Sequence, residues 1–79
     1  MNNIWNEEDT TLTKKIEFDN FTLAMVFVNK VADLAEEIQH HPKIEINYRT
    51  VTLKLFSHDA GDTVTERDRE LARRIDTLL

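Results

Sequence analysis

The chain has 79 residues, 15 acidic and 10 basic, for a formal charge of −5, and it contains no cysteine, one glycine (Gly61) and one proline (Pro42). The lack of cysteine excludes a disulfide framework and a thiolate metal site, and a single glycine cannot build a glycine-rich phosphate loop. The acidic balance argues against a general nucleic-acid surface, and the longest apolar run, residues 23–28, falls far short of the roughly 20 residues that span a membrane.

No basic segment ahead of an apolar stretch opens the chain, so the expectation is a soluble cytoplasmic protein, a single domain over residues 1–79. Residues 4–7 form a short segment carrying Trp5, followed by the polar stretch Glu8, Asp9, Thr10. Leu12, Ile16 and Phe18 then fall at even spacing, the period of a half-buried strand, although Lys14 occupies an inward slot. Residues 4–18 therefore read as a hairpin. Trp5 can stack on a ligand or simply pack against an edge strand, and packing is the commoner use. Asp19 or Asn20 can cap a helix running from 20 to about 40. Pro42 ends that helix by forcing His41 out of helical geometry.

Beyond the proline, Ile44, Ile46 and Tyr48 alternate with polar residues, as do Val51, Leu53 and Leu55. This predicts two strands joined tightly around Arg49 and Thr50, although no Asn-Gly type of turn signal is present. Residues 58–64 read as a loop containing Gly61. Thr65 with Asp68 three positions on resembles a capping box, and Leu71, Ala72, Ile75 and Leu78 give the apolar face of a closing helix. The predicted order is ββαββα: an α+β fold with a four-stranded antiparallel sheet and helices on one face.

The central helix carries more apolar surface than a sheet requires. Residues 23–28 are six consecutive apolar positions, which at 100° each encircle the helix. Either a second subunit covers the outer face, or the closing helix and loops do. A domain this small buries only about 60% of its unfolded surface, which favours the oligomer.

All three histidines lie between positions 40 and 58, two of them adjacent. Imidazole, with an unperturbed pKa of about 6.5, transfers protons in both directions near neutrality. Glu36 precedes His40 by four residues, within reach of its ring on a continuous helix. The break at Pro42 allows His40 and His41 to face one cleft, and the intervening hairpin can return His58 to the same end of the sheet. The alternatives are histidines favouring a helix C-terminus, or a metal site, against which adjacent imidazoles are awkwardly placed and no His-x₃-His pair exists. Asp68 would cap the last helix whether or not it served a site. Arg67, Arg69, Arg73 and Arg74 interleave with acidic residues, the pattern of a solvated helix face with intrahelical pairs rather than a nucleic-acid surface.

The pattern Glu36-x₃-His40-His41-Pro42-x₅-Tyr48-x₉-His58, followed by Asp68, sets seven residues over 33 positions and closely resembles the signature of pterin-4a-carbinolamine dehydratases. The flanks agree: Trp5, the Phe18-Asp19-Asn20-Phe21 opening of the central helix, and Glu70-Leu71-Ala72-Arg73-Arg74-Ile75-Asp76. The resemblance implies dehydration of 4a-hydroxytetrahydropterin to quinonoid dihydropterin in tetrahydropterin recycling, with no metal and no other cofactor. It implies His40 and His58 as proton-transfer groups, His41 as a pterin-binding group, and Glu36 and Asp68 as orienting groups. It also implies a homodimer or homotetramer through the central helix, without direct nucleic-acid or membrane binding. Some members also serve as dimerisation cofactors of a homeodomain transcription factor; the alternative is a non-catalytic dimerisation or assembly protein on the same scaffold, motivated by two departures from the family pattern, the N-terminal helix and Ile44. The family's usual N-terminal helix, ahead of the tryptophan, is lacking here, where only residues 1–4 precede Trp5. Ile44 stands where many members have tryptophan, and the stretch from His58 to Asp68 is a residue longer than in many.

Overall fold

The computed structural model describes residues 4–8 and 10–79; residues 1–3 and Asp9 of the first predicted turn lie outside it. Strands β1 (Asn6–Glu8) and β2 (Thr11–Glu17) form the first hairpin, followed by helix α1 (Phe21–Ile38). Strands β3 (Lys43–Asn47) and β4 (Thr50–Leu55), a 3₁₀ turn at His58–Ala60 and helix α2 (Glu66–Asp76) complete the predicted ββαββα order. The sheet is antiparallel in the order β1-β2-β4-β3.

Register explains the layers. Leu12, Lys14 and Ile16 of β2 pair with Leu55, Leu53 and Val51 of β4, so both inward sets share one face. Against that face pack Ala24, Phe27, Val28 and Val31 of α1 and Leu71, Ala72 and Ile75 of α2. Both helices therefore lie on one side, and the opposite face presents Thr13, Lys15, Thr52 and Lys54. Phe21, Leu23 and Val26 of α1 stay 44–48% exposed, so the closing helix covers only part of the encircling apolar surface.

The inward lysine is resolved by partners from α2. Lys14 is 1% exposed; its Nζ lies 2.7 Å from Asp76 Oδ1 and 5.5 Å from the Trp5 ring centroid. Trp5 Nε1 donates to the same carboxylate oxygen at 3.0 Å. Trp5 thus packs over a half-buried ion pair at the end of α2, a structural use for that ring.

Two boundaries differ from the sequence expectation. The β3–β4 turn is Tyr48–Arg49, with Asn47 paired to Thr50, one residue earlier than predicted. Tyr48 takes φ 56°, and Arg49 ties the turn to the end of β2: its carbonyl accepts from Phe18 N–H at 2.9 Å and its guanidinium meets Glu17 at 3.3 Å. Those tertiary bonds replace the missing turn signal. Helix α1 begins as expected, with Asn20 Oδ1 accepting from Leu23 N–H at 2.8 Å, but it stops at Ile38. Gln39 adopts the left-handed conformation (φ 53°, ψ 48°), and His40 N–H reaches back to Ala35 C=O at 3.0 Å. This is a Schellman-type ending, so the helix terminates four residues before Pro42, which blocks any continuation.

Candidate functional site

The Schellman turn decides where the histidines point. On an unbroken helix Glu36 would face His40, as the i,i+4 spacing predicts. The reversal at Gln39 moves every later residue, and Glu36 Oε2 instead meets His41 Nε2 at 2.5 Å. His40 turns inward, is 8% exposed, and sets its Nε2 2.6 Å from Asp68 Oδ1. The expected Glu36–His40 contact is therefore replaced by Glu36–His41 and Asp68–His40.

Asp68 performs both roles considered for it. Its Oδ2 accepts from Thr65 N–H at 2.8 Å, the capping-box bond at the start of α2, while Oδ1 holds the imidazole. A third donor, Ser57 Oγ–H, reaches Oδ2 at 2.8 Å. Burial of this fully enclosed carboxylate pushes its pKa up. The hydrogen bonds from His40, Thr65 and Ser57, with the charge of His40, more than offset that and hold it below the ordinary value. Asp68 is thus an anchored anion behind His40.

Ser57 was not singled out in the sequence, although a signal was present. It continues the inward alternation Val51, Leu53, Leu55, and is the one polar residue in that series. Lys14 occupies a polar inward slot on β2 in the same way. Each reaches a carboxylate of α2, Asp68 near its start or Asp76 at its end.

His58 opens the 3₁₀ turn beyond β4 with its side chain 86% exposed. Its ring meets Phe56 edge-on, with centroids 5.4 Å apart at 90°, and Nδ1 faces Asp62 Oδ1.

The three histidines converge. An open cleft of about 250 Å³ is lined by Gln39, His40, His41, His58, Asp59 and Arg67. A neighbouring, more apolar cavity of about 300 Å³, lined by Ile38, His40, Glu66, Arg67 and Glu70, shares His40 and Arg67 with it. Arg67 joins the elements around the cleft, donating to Gln39 C=O at 2.8 Å and lying 3.4 Å from Asp59. The expectation of intrahelical pairs holds for Arg73 and Arg74, which pair with Glu70, but not for Arg67 and Arg69 (to Glu7), which reach other elements. Nothing in the spacing of Arg67 distinguished it from its neighbours.

Each imidazole engages a different carboxylate through one ring nitrogen, and no group of three His, Asp or Glu among the described residues is arranged to hold a metal ion. His40 Nδ1, His41 Nδ1 and His58 Nε2 have no protein partner among the described residues. No buried side-chain nitrogen or oxygen there lacks a partner, so His40 Nδ1 reaches solvent. The arrangement sets three oriented imidazoles around one cleft, one of them seated on a buried anion, and groups of this kind can take up and release protons near neutrality. No helix among the described residues is long and apolar enough to cross a membrane.

Residues 1–78 match the family model described as pterin 4 alpha carbinolamine dehydratase, and the chain belongs to that family. A protein of Acidobacterium capsulatum curated as "Putative pterin-4-alpha-carbinolamine dehydratase" is 48% identical over 95% of this chain and 80% of its own length. A Thermomicrobium roseum protein of the same description is 49% identical over 94% of this chain and 78% of its own. Among solved structures, a Brucella melitensis protein described as a transcriptional coactivator/pterin dehydratase has a TM-score of 0.87 at 30% identity, over 94% of this chain and 80% of that one. A pterin dehydratase-like protein described as a RuBisCO assembly factor in the alpha-carboxysome has a TM-score of 0.75 at 26% identity, over 95% of this chain and 86% of that one.

Proposed function

We propose that this protein is a hydro-lyase that converts 4a-hydroxytetrahydropterin to quinonoid dihydropterin in tetrahydropterin recycling. The observation that carries the reading is the convergence of His40, His41 and His58 on one cleft, with His40 bonded to the buried Asp68. In this reaction the bond from C4a to oxygen breaks, the oxygen takes a proton and leaves as water, and N5 loses its proton as the C4a=N5 double bond forms. The step needs one acid and one base in the same cleft, and imidazole serves either role near neutrality. No cofactor enters it, because the lone pair of the ring nitrogen expels the hydroxyl.

His40 and His58 transfer the protons, and His41, held by Glu36, binds and orients the pterin ring. Asp68 and Glu36 act through the imidazoles they hold, fixing which nitrogen carries hydrogen. Each positioned acid or base contributes about 10² to 10⁴ in rate. The exposed Leu23 and Val26 of α1, beside Leu79, and the exposed Phe21 on the same helix form the surface through which a homodimer or homotetramer assembles. The fold acts as one domain in the cytoplasm.

The solved relative described as a RuBisCO assembly factor supports a second reading, a non-catalytic assembly protein on this scaffold. The decay of freshly generated 4a-hydroxytetrahydropterin, followed by absorbance with and without the protein, separates the two. Acceleration by folded protein is expected; an unchanged rate selects the assembly reading.

A further inference from the structure

We propose that Asp62 is the positioning residue of His58, holding Nδ1 so that Nε2 is the nitrogen offered to the cleft. The kinetic consequence rests on the dehydratase reading, whereas the structural one stands apart from it. His58 is the least enclosed of the three histidines, its side chain 86% exposed, so packing alone cannot select its orientation. Two groups restrain the ring. The edge contact with Phe56 limits its tilt but is indifferent to which nitrogen carries hydrogen. The Asp62 carboxylate is not indifferent: an ionised carboxylate only accepts, so Nδ1 keeps its hydrogen and the neutral ring has its lone pair at Nε2.

The loop backbone delivers that carboxylate. Residues 57–63 close on themselves, with Ser57 N–H donating to Thr63 C=O at 2.9 Å and Asp62 N–H to Ser57 C=O at 3.0 Å. Gly61 at φ 82° and Asp62 at φ 58° are two successive left-handed residues, and they reverse the chain so that Asp62 meets a ring four positions earlier. Aspartate is among the few residues besides glycine that enter this region readily. An exposed ion pair adds little to stability, so the value of the contact lies in geometry. The same loop holds Ser57 against Asp68, so it steadies the partner of His40 while supplying the partner of His58.

Two substitutions isolate the carboxylate. Glycine adopts φ 58° without strain, so Asp62→Gly preserves the loop and removes the acceptor. Asp62→Asn keeps an acceptor oxygen in place. Two-bond ¹H–¹⁵N correlation spectra of the imidazoles report the tautomer directly. Neutral His58 is expected as the Nδ1–H form in the wild type and in Asp62→Asn, and shifted to the Nε2–H form favoured by free imidazole in Asp62→Gly. In the dehydration assay Asp62→Gly is expected to lower kcat about 10-fold with KM unchanged, and Asp62→Asn to recover most of that loss. An Nε2–H tautomer in the wild type, or a tautomer or kcat unaltered by Asp62→Gly, overturns the assignment. A wild type that does not accelerate dehydration sinks the dehydratase reading, while the tautomer comparison still decides the role of Asp62.

Discussion

Replacing Asp68 by asparagine changes one atom and inverts the hydrogen-bond logic around His40. Oδ2 accepts from Thr65 N–H and from Ser57 Oγ–H, both at 2.8 Å, and the backbone donor has no alternative role. The amide oxygen must take that position, which turns the amide NH₂ toward His40 Nε2. His40 Nε2 must then accept, and its proton moves to Nδ1, the nitrogen that reaches solvent. The variant thus presents a donor where the wild type's neutral ring presents a lone pair.

In stability, a charge-assisted hydrogen bond worth about 1.5–3 kcal/mol becomes a neutral one worth about 0.5–1.5. The expected loss is about 1–2 kcal/mol, against a total of about 4–12 kcal/mol for 79 residues. The variant therefore folds. In rate, loss of the correct tautomer is expected to lower kcat/KM about 10²-fold. The pH dependence has a definite sign. Burial pushes the Asp68 pKa up, but its hydrogen bonds outweigh burial and hold it below the ordinary value. A depressed folded-state pKa gives stability fully present above the unfolded carboxylate value of about 4, and lost as pH falls from there through the folded value. Urea unfolding followed by circular dichroism at pH 7, 4 and 3 should show the wild-type advantage over Asp68→Asn intact at pH 7 and shrinking at the two lower values. Equal stability at pH 7 together with an unchanged rate would mean that the Asp68 charge supports neither the fold nor the His40 tautomer.

Gln39→Gly relieves a left-handed glutamine and should raise stability by about 0.5 kcal/mol in urea unfolding, even with the loss of the Gln39 Nε2 bond to Glu36 C=O. Asp76→Ala removes the acceptor shared by buried Lys14 and Trp5 and should cost about 1–3 kcal/mol, whereas Lys14→Met should cost less than about 1 kcal/mol; thermal unfolding orders them. Leu23→Glu places a charge on the exposed apolar face of α1 and should shift the proposed oligomer to monomer in sedimentation equilibrium. A monomeric wild type would contradict the assembly surface.

Much of the fold was legible because hydrophobic alternation and capping residues are local signals. Leu12, Ile16 and Phe18, despite Lys14 in an inward slot, and Val51, Leu53 and Leu55 announced the two central strands, while Asp19 or Asn20, and Thr65, announced the helix starts. The end of α1 was not legible. Left-handed residues are read from glycine, and nothing in the identity of Gln39 marks it as one; Pro42 drew the boundary toward itself. The candidate site followed the same division. Its histidines, Glu36 and Asp68 stood out by type and spacing, but the partner of each imidazole depends on the turn at Gln39 and on loop closure between Ser57 and Thr63. Those are tertiary facts. Ser57 was visible only as a polar break in an apolar alternation, and Asp62 only as an acid beside the single glycine.

In the proposed reaction the histidines of one cleft remove water from a pterin carbinolamine. The most direct test is the rate of decay of freshly generated 4a-hydroxytetrahydropterin with wild type, His40→Ala, His58→Ala and the double variant, each confirmed folded. Acceleration by the wild type is expected, with a loss of about 10² or more in each single variant and near-background decay in the double. A folded wild type without acceleration, or single variants as fast as the wild type, would contradict that role of the histidines.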